Sequence, residues 1–258
     1  MKKLVSIISK NVSWFRNLKK LFATITLVTF LMGNAIAQDD KIPLIGSKAP
    51  SFTAETTNGE ITFPEDFGDN WKILFSHPQD FTPVCTSELL ELAYMHDEFK
   101  DLGIKVAVIS KDEIKMHDLW KAHIEELDYK DRGPQKIHFP IIDDHKAKVS
   151  ETYGMLHEPT STNRDIRGVF VIDPDNTVRA VNFYPVEIGR NFHEILRMVA
   201  ALKTADKQDV LTPANWNNGE DVLVPYFPYT SKQLKKNPEI TNNYYSVGYH
   251  MWFKKMDY

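Results

Sequence analysis

The chain contains a single cysteine, Cys85, and the residues beside it decide what that sulfur can do. Thr82 is a good N-cap, and Pro83 suits the first helical position, where its missing N–H would be unpaired anyway. The pair predicts a helix opening at Pro83 with Cys85 at its third position. A sulfur placed there lies beside unpaired backbone N–H groups and the positive end of the helix dipole, a setting in which thiol acidity rises. Position alone leaves other fates open, since a lone cysteine is also a small buried hydrophobe or the site of an intermolecular bridge. An internal disulfide is excluded by the count.

The elements that must hold this sulfur are legible as periodic runs. Trp71 to Ser76 is a short apolar strand, and Pro83 to Leu102 is a helix with Cys85, Leu89, Leu92, Phe99 and His96 on one face, stopped by Gly103. Lys105 to Ser110 is a second strand, so the three form a β-α-β unit with a right-handed crossover and a parallel strand pair. Ser110-x-x-Glu113 matches a capping box for a helix carrying Ile114, His117, Trp120, Ile124 and Leu127 on one stripe. Ile61–Phe63 and Pro140–Ile142 are further short strands, and His145–Tyr153 is helical. Gly168–Asp173 and Thr177–Phe183 flank a turn as a hairpin, and Asn191–Leu202 is the last strong helix. The alternation predicts an α/β domain of three layers. From about Thr212 the chain turns rich in Pro, Asn and aromatic residues, and reads as a smaller C-terminal segment.

Residues 1–37 differ from the rest. Lys2, Lys3, Lys10, Arg16, Lys19 and Lys20 precede an apolar run, Leu21–Met32, and then Asn34-Ala35-Ile36-Ala37, with no acidic residue. This is the pattern of a signal peptide cut near Ala37, with an uncleaved anchor as the alternative, and it predicts export to a periplasm or the exterior. Loss of those six basic residues leaves 25 Lys and Arg against 35 Asp and Glu, a formal charge of −10. Such a mature protein is a poor partner for nucleic acid or an anionic membrane and is compatible with a small neutral substrate. The nine histidines include no His-Glu-x-x-His, and the six-residue spacing of His117 and His123 brings no two ligands together on a helix, so no metal site is expected.

Phe75-Ser76-His77-Pro78-Gln79-Asp80-Phe81-Thr82-Pro83-Val84-Cys85-Thr86-Ser87-Glu88-Leu89 resembles the active-site loop of the peroxiredoxins, whose Pro-x-x-x-Thr-x-x-Cys motif is filled by Pro78, Thr82 and Cys85. Its wording is similar to that of the one-cysteine subfamily. Arg167–Asp173 resembles the family's arginine strand. Tyr184-Pro185 with Gly189–Arg197 resembles the approach to its next helix, and Thr212-Pro213-x-x-Trp216 the opening of its C-terminal domain. The resemblance runs from about Ile42 past Pro225. It implies a thioredoxin-like three-layer α/β/α domain over 42–204 with a small C-terminal extension domain over 205–258.

The resemblance also implies roles. Cys85 is the nucleophile that attacks hydrogen peroxide or an organic hydroperoxide. Thr82 and the backbone N–H groups of Val84 and Cys85 bind the peroxide oxygens. Arg167 lies by the sulfur, Pro78 shields the pocket, and Glu88, Arg190 and His77 form a supporting shell. At least a homodimer is implied, and no cofactor. The product is a sulfenic acid, and with no second cysteine in the chain an external thiol or another small reductant must reduce it.

Acidity by itself contributes little to such a reaction. Lowering a thiol pKa from ~8.5 to ~6 raises the thiolate fraction at pH 7 roughly 30-fold, while a Brønsted slope of ~0.45 costs roughly 13-fold in nucleophilicity, a net gain of about twofold. Donors aimed at the departing oxygen must supply the rest.

Two alternatives are weaker. Gly68-Asp69-Asn70-Trp71-Lys72 corresponds to the phospholipid-hydrolysing site of some relatives, but Asn70 replaces its serine, Lys72 its second glycine and Pro64 its histidine, leaving only Asp175. A non-catalytic redox sensor or chaperone on the same fold would need none of the Pro78, Thr82, Cys85 and Arg167 set.

Overall fold

A computed structural model describes residues 42–227, 229–248 and 250–256; the expected signal segment, residues 1–37, lies outside the described residues. The strands are β1 (Phe52–Ala54), β2 (Ile61–Phe63), β3 (Trp71–Ser76), β4 (Ile104–Ser110), β5 (Ile141–Asp143), β6 (Arg167–Ile172), β7 (Val178–Tyr184), β8 (Val222–Leu223), β9 (Tyr244–Val247) and β10 (Met251–Lys254). The helices are α1 (Pro83–Tyr94), α2 (His96–Asp101), α3 (Ile114–Ile124), α4 (Lys148–Thr152), α5 (Phe192–Gln208) and α6 (Ser231–Lys236).

β3 is buried along its whole length because it runs through the middle of a five-stranded mixed sheet ordered β5-β4-β3-β6-β7. It pairs parallel with β4, as the β-α-β reading requires, and antiparallel with β6. β6 and β7 form the expected hairpin. Side chains alternate across the sheet. Ile73, Phe75, Val108, Val169 and Val171 face one core, which Leu89, Leu92, Trp120, Phe192, Ile195 and Val199 cover from α1, α3 and α5. Leu74, Ala107, Ile109, Phe170 and Ile172 face the other, covered by Phe63 from the β1–β2 hairpin and by Val149 and Tyr153 at α4. These are the three layers, one of them built partly from a hairpin. The architecture is the thioredoxin-like fold with a C-terminal extension.

α5 carries the chain past residue 204 to Gln208, and Ala200 and Ala201 on it pack with Val210, Trp216 and Val222 in a third cluster. The C-terminal segment then forms a small antiparallel sheet, β8-β10-β9. Phe227 stacks on Trp252 there, with ring centroids 3.9 Å apart. No helix among the described residues is long and apolar enough to cross a membrane.

Local signals fail in three places. The expected helix Pro83–Leu102 is divided at Met95 (φ −91°, ψ 11°), although Met95 N–H still reaches the Glu91 carbonyl and Phe99 N–H that of Met95. It is a kink that keeps Leu92 and Phe99 on the same core. The capping box at Ser110 and Glu113 does not form. Ser110 donates its hydroxyl to Asp112, and the first free N–H of α3, that of Ile114, is taken by the Asp143 carboxylate of β5 at 2.9 Å. A charged acceptor brought in by the sheet displaces the weaker local cap. The helix expected over 145–153 is shorter, with Asp144 accepting from Val149 and Ser150 N–H at its start.

Candidate active site

α1 begins where the sequence places it, with Thr82 in extended conformation as N-cap, Pro83 first and Cys85 third. The Thr82 side chain does not cap the helix. Its hydroxyl donates to the Gln79 carbonyl at 2.9 Å, closing the loop, while its own carbonyl accepts Thr86 N–H. That bond is the first across the cap, so the N–H groups of Val84 and Cys85, which precede it, belong to the unsatisfied donors of the first turn. Phe81, before the cap, holds a left-handed backbone (φ 55°) with half its ring surface exposed, and its ring stacks on His123.

Cys85 is fully buried. One side of it meets the apolar cluster under α1, and on the other Arg167 donates a guanidinium N–H to Sγ at 3.3 Å. Arg167 has no freedom to turn away. The same Nη1 donates to Glu88 Oε2 at 2.8 Å, and Nε and Nη2 both donate to the Val186 carbonyl, at 3.1 and 2.6 Å. Its backbone is held as tightly. The Ser76 hydroxyl at the end of β3 donates to the Ile166 carbonyl and accepts Gly168 N–H, both at 2.7 Å, bracketing Arg167 on either side. Gly168 must be glycine, because a Cβ there would lie 2.8 Å from Ser76 Oγ.

Glu88 lies one turn below Cys85 and joins both arginines. Arg190 gives it three hydrogen bonds, from its backbone N–H, Nε and Nη2, and spends Nη1 on the carbonyls of Ser76 and Gly168. Burial alone would raise the Glu88 carboxyl. The guanidinium of Arg190 and then that of Arg167 outweigh it and hold the group below the usual carboxylate range. The result is a fixed cationic wall behind the sulfur with its charge partly balanced.

Pro78 is buried and lines a cavity of about 310 Å³ with Thr160, Ser161, Asn163, Arg164 and Val186, the residue whose carbonyl holds Arg167. Gly189 lies against Val84, where a Cβ would meet its methyl at 3.5 Å, so the segment after β7 covers the first turn of α1. His77 hydrogen-bonds Asp80 through Nε2 at 2.8 Å and packs its ring on Trp120, while its Nδ1 is buried without a partner among the described residues.

Three contributors are missing from the sequence reading. Ser76 is one, and its signal is a polar residue closing the apolar run Ile73-Leu74-Phe75. The Val186 carbonyl has no signal at all. The third is a buried cluster in which Asp80 accepts from both His77 and His117, the latter at 2.7 Å, while His117 Nε2 meets the Ile142 carbonyl. Its trace is His117 on the apolar stripe of α3. Burial would raise Asp80, but the hydrogen bonds and charges of His117 and His77 hold it at about 2. Ligand atoms of His77, Asp80 and Asp112 lie within 4.8 Å of one another, and hydrogen bonds already engage His77 Nε2, both Asp80 oxygens and Asp112 Oδ2, the last accepting from Asp80 N–H and the Ser110 hydroxyl. At the lipase-like stretch, Asn70 donates to the Phe67 carbonyl and the buried Lys72 ammonium ties the β6–β7 turn through Asn176.

Comparison with known proteins agrees with this geometry. Residues 45–181 match the model of the AhpC/TSA family, and residues 201–237 that of the C-terminal domain of 1-Cys peroxiredoxin. A peroxiredoxin of Methanosarcina mazei is 46% identical over 71% of this chain and 84% of its own.

The chain belongs to the peroxiredoxin family.

Another relative, the peroxiredoxin of Archaeoglobus fulgidus, is 39% identical to this peroxiredoxin over 82% of this chain and 97% of its own. Among solved structures, a yeast mitochondrial 1-Cys peroxiredoxin superposes with a TM-score of 0.70 at 35% identity, covering 82% of this chain and 99% of its own. A cysteine-to-serine mutant of the peroxiredoxin 6 of Arenicola marina does so with a TM-score of 0.72 at 30% identity, covering 83% and 98%.

Proposed function

We propose that this peroxiredoxin is a one-cysteine thiol peroxidase that reduces hydrogen peroxide and organic hydroperoxides. The observation that carries the reading is the Arg167 N–H donated to Cys85 Sγ at 3.3 Å, at a helix N-terminus. The thiolate attacks one peroxide oxygen, the O–O bond breaks with its electron pair going to the far oxygen, and a sulfenic acid forms on Cys85 while water or an alcohol leaves after taking a proton. Charge develops on the leaving oxygen, and Arg167 and the first-turn N–H groups of Val84 and Cys85 are the donors placed to receive it, while Thr82 adds its hydroxyl only by giving up its bond to the Gln79 carbonyl. Glu88 and Arg190 keep Arg167 in place. Because Cys85 is buried, a peroxide reaches it only when residues that cover the sulfur move aside.

Turnover needs an outside thiol. One thiol displaces water from the sulfenic acid to give a mixed disulfide, and a second releases Cys85. The count of one cysteine supports this, as does the yeast relative, whose described thiol resolving mechanism runs via glutathione/thioredoxin systems. Peroxide consumption with a thiol reductant, in wild type and Cys85→Ser, is the direct test. Equal rates would remove the peroxidase reading and leave the redox-sensor or chaperone alternative.

Two finer readings belong to the same proposal. The chain is a homodimer or larger homo-oligomer, for which the outer edge of β7 beyond Val178, with no strand paired to it among the described residues, offers a pairing surface; a monomeric mass by light scattering would refute it. The protein is exported, on the strength of the basic and apolar pattern of residues 1–37. N-terminal sequencing of protein recovered outside the cytoplasm should begin near Gln38.

A further inference from the structure

Asp165 stands two residues before Arg167 and is fully buried. Its Oδ2 lies 3.0 Å from the hydroxyl of Ser150 on α4, and its Oδ1 has no partner among the described residues. The same Ser150 oxygen is 2.6 Å from Oδ2 of Asp144, which also accepts the N–H groups of Val149 and Ser150. A serine hydroxyl carries one proton. Directed along the shorter bond to Asp144, that proton leaves Ser150 facing Asp165 with a lone pair. The 3.0 Å contact is then a hydrogen bond only when Asp165 itself carries a proton and donates it. The chain runs Asp165–OH to Ser150–OH to Asp144, linking α4 to the segment that enters β6.

We propose that Asp165 is a positioning residue for Arg167, a neutral-acid latch that holds the start of β6 in register and opens when the acid ionises. This rests on the peroxidase reading for its consequence in rate, though not for the latch itself. The neighbours support it. Burial and the charges of Asp144 and Asp112 push the Asp165 carboxyl up to about 8, against the hydrogen bond of Ser150 and the charge of Lys111. Ionisation would set a second carboxylate against the Ser150 lone pair and Asp144 with no donor for Oδ1, a buried charge that the segment relieves by moving outward. The next residue is the one whose carbonyl receives Ser76, and the one after it is Arg167. Loss of the latch therefore loosens the bracket around the guanidinium and not the sulfur's own helix.

Asp165→Asn is the test, because an amide is nearly isosteric with the neutral acid and its N–H can still donate to Ser150. Below pH 7 the variant should oxidise Cys85 at the wild-type rate. Above it, the wild-type rate should fall more than about tenfold by pH 9.5, while the Asn variant shows no such fall. Superposable pH–rate profiles would overturn the proposal. An infrared difference spectrum, wild type minus Asn variant, reads the latch without activity. It should show a protonated carboxyl at pH 6 that disappears with a midpoint near 8, and an ionised Asp165 at pH 6 would equally overturn it. If wild type consumed no peroxide, the peroxidase reading would fall while the infrared titration still decided the latch.

Discussion

Glu88 and Glu91 sit three residues apart on α1, and each carboxylate holds two cations. Glu88 joins Arg167 and Arg190, all three at or below 2% exposure, whereas Glu91 meets Lys130 and Arg132 with side chains 59% and 36% exposed. In both, the cations outweigh burial and keep the carboxyl low. Geometry on paper is alike, with contacts of 2.6–2.8 Å. The difference lies in what happens when one partner is removed. At the surface, water and salt replace it. In the interior nothing does, so the Glu88 cluster behaves as one object, and Arg167 cannot drift from the sulfur without stranding a charge.

Removing the buried carboxylate should have the largest effect. Glu88→Gln leaves two guanidiniums partly unpaired and should cost about 3–5 kcal/mol in a urea titration, with a matching loss of peroxidase rate. A cost under ~1 kcal/mol would break the contrast. Next is Arg167→Ala, which should slow peroxide consumption about 10²–10³-fold, roughly 2.7–4 kcal/mol, as loss of a preorganised donor does elsewhere. The decisive comparison is with thiolate titration of the same variant. Equal losses in thiolate fraction and rate would mean that Arg167 acts only on acidity.

Asp80 extends the contrast to acid pH. Its folded value of about 2 lies below the ordinary 3.8, so the stability it contributes is present above about pH 4 and is lost as pH falls toward 2. That share amounts to about 2 kcal/mol, and Asp80→Asn should remove it, flattening unfolding free energy measured between pH 5 and pH 2. An unchanged acid limb would show that His77 and His117 do not hold the carboxylate. Glu91→Gln is the smallest effect, under about 1 kcal/mol and vanishing in high salt. A larger loss would mean that the surface pair stiffens the segment around Tyr129–Gly133, where Arg132 also lies over the Tyr94 ring.

Much of the fold was legible because its signals are local or periodic. β3, β4, β6 and β7 read as apolar runs, and the two faces of each separate into the two cores by alternation alone. Cys85 at the third position of α1 follows from Thr82 and Pro83. The signals that failed were local as well. The Ser110–Glu113 box and the Thr82 side-chain cap are worth about a kilocalorie per mole each, and stronger acceptors displace or bypass bonds of that size. Asp143 took the N–H at α3, and the Gln79 carbonyl took the Thr82 hydroxyl.

By itself the sequence determined that a single sulfur starts a helix behind a buried strand and that this chain holds no second thiol to resolve it. Tertiary structure alone decided what surrounds that sulfur. Arg167 is 82 positions away, Arg190 lies 102 positions beyond Glu88, and His117 reaches Asp80 across 37. Contacts of that span depend on the order of strands in the sheet, which no short stretch encodes, and their energies come from excluding water, which exists only after the layers close.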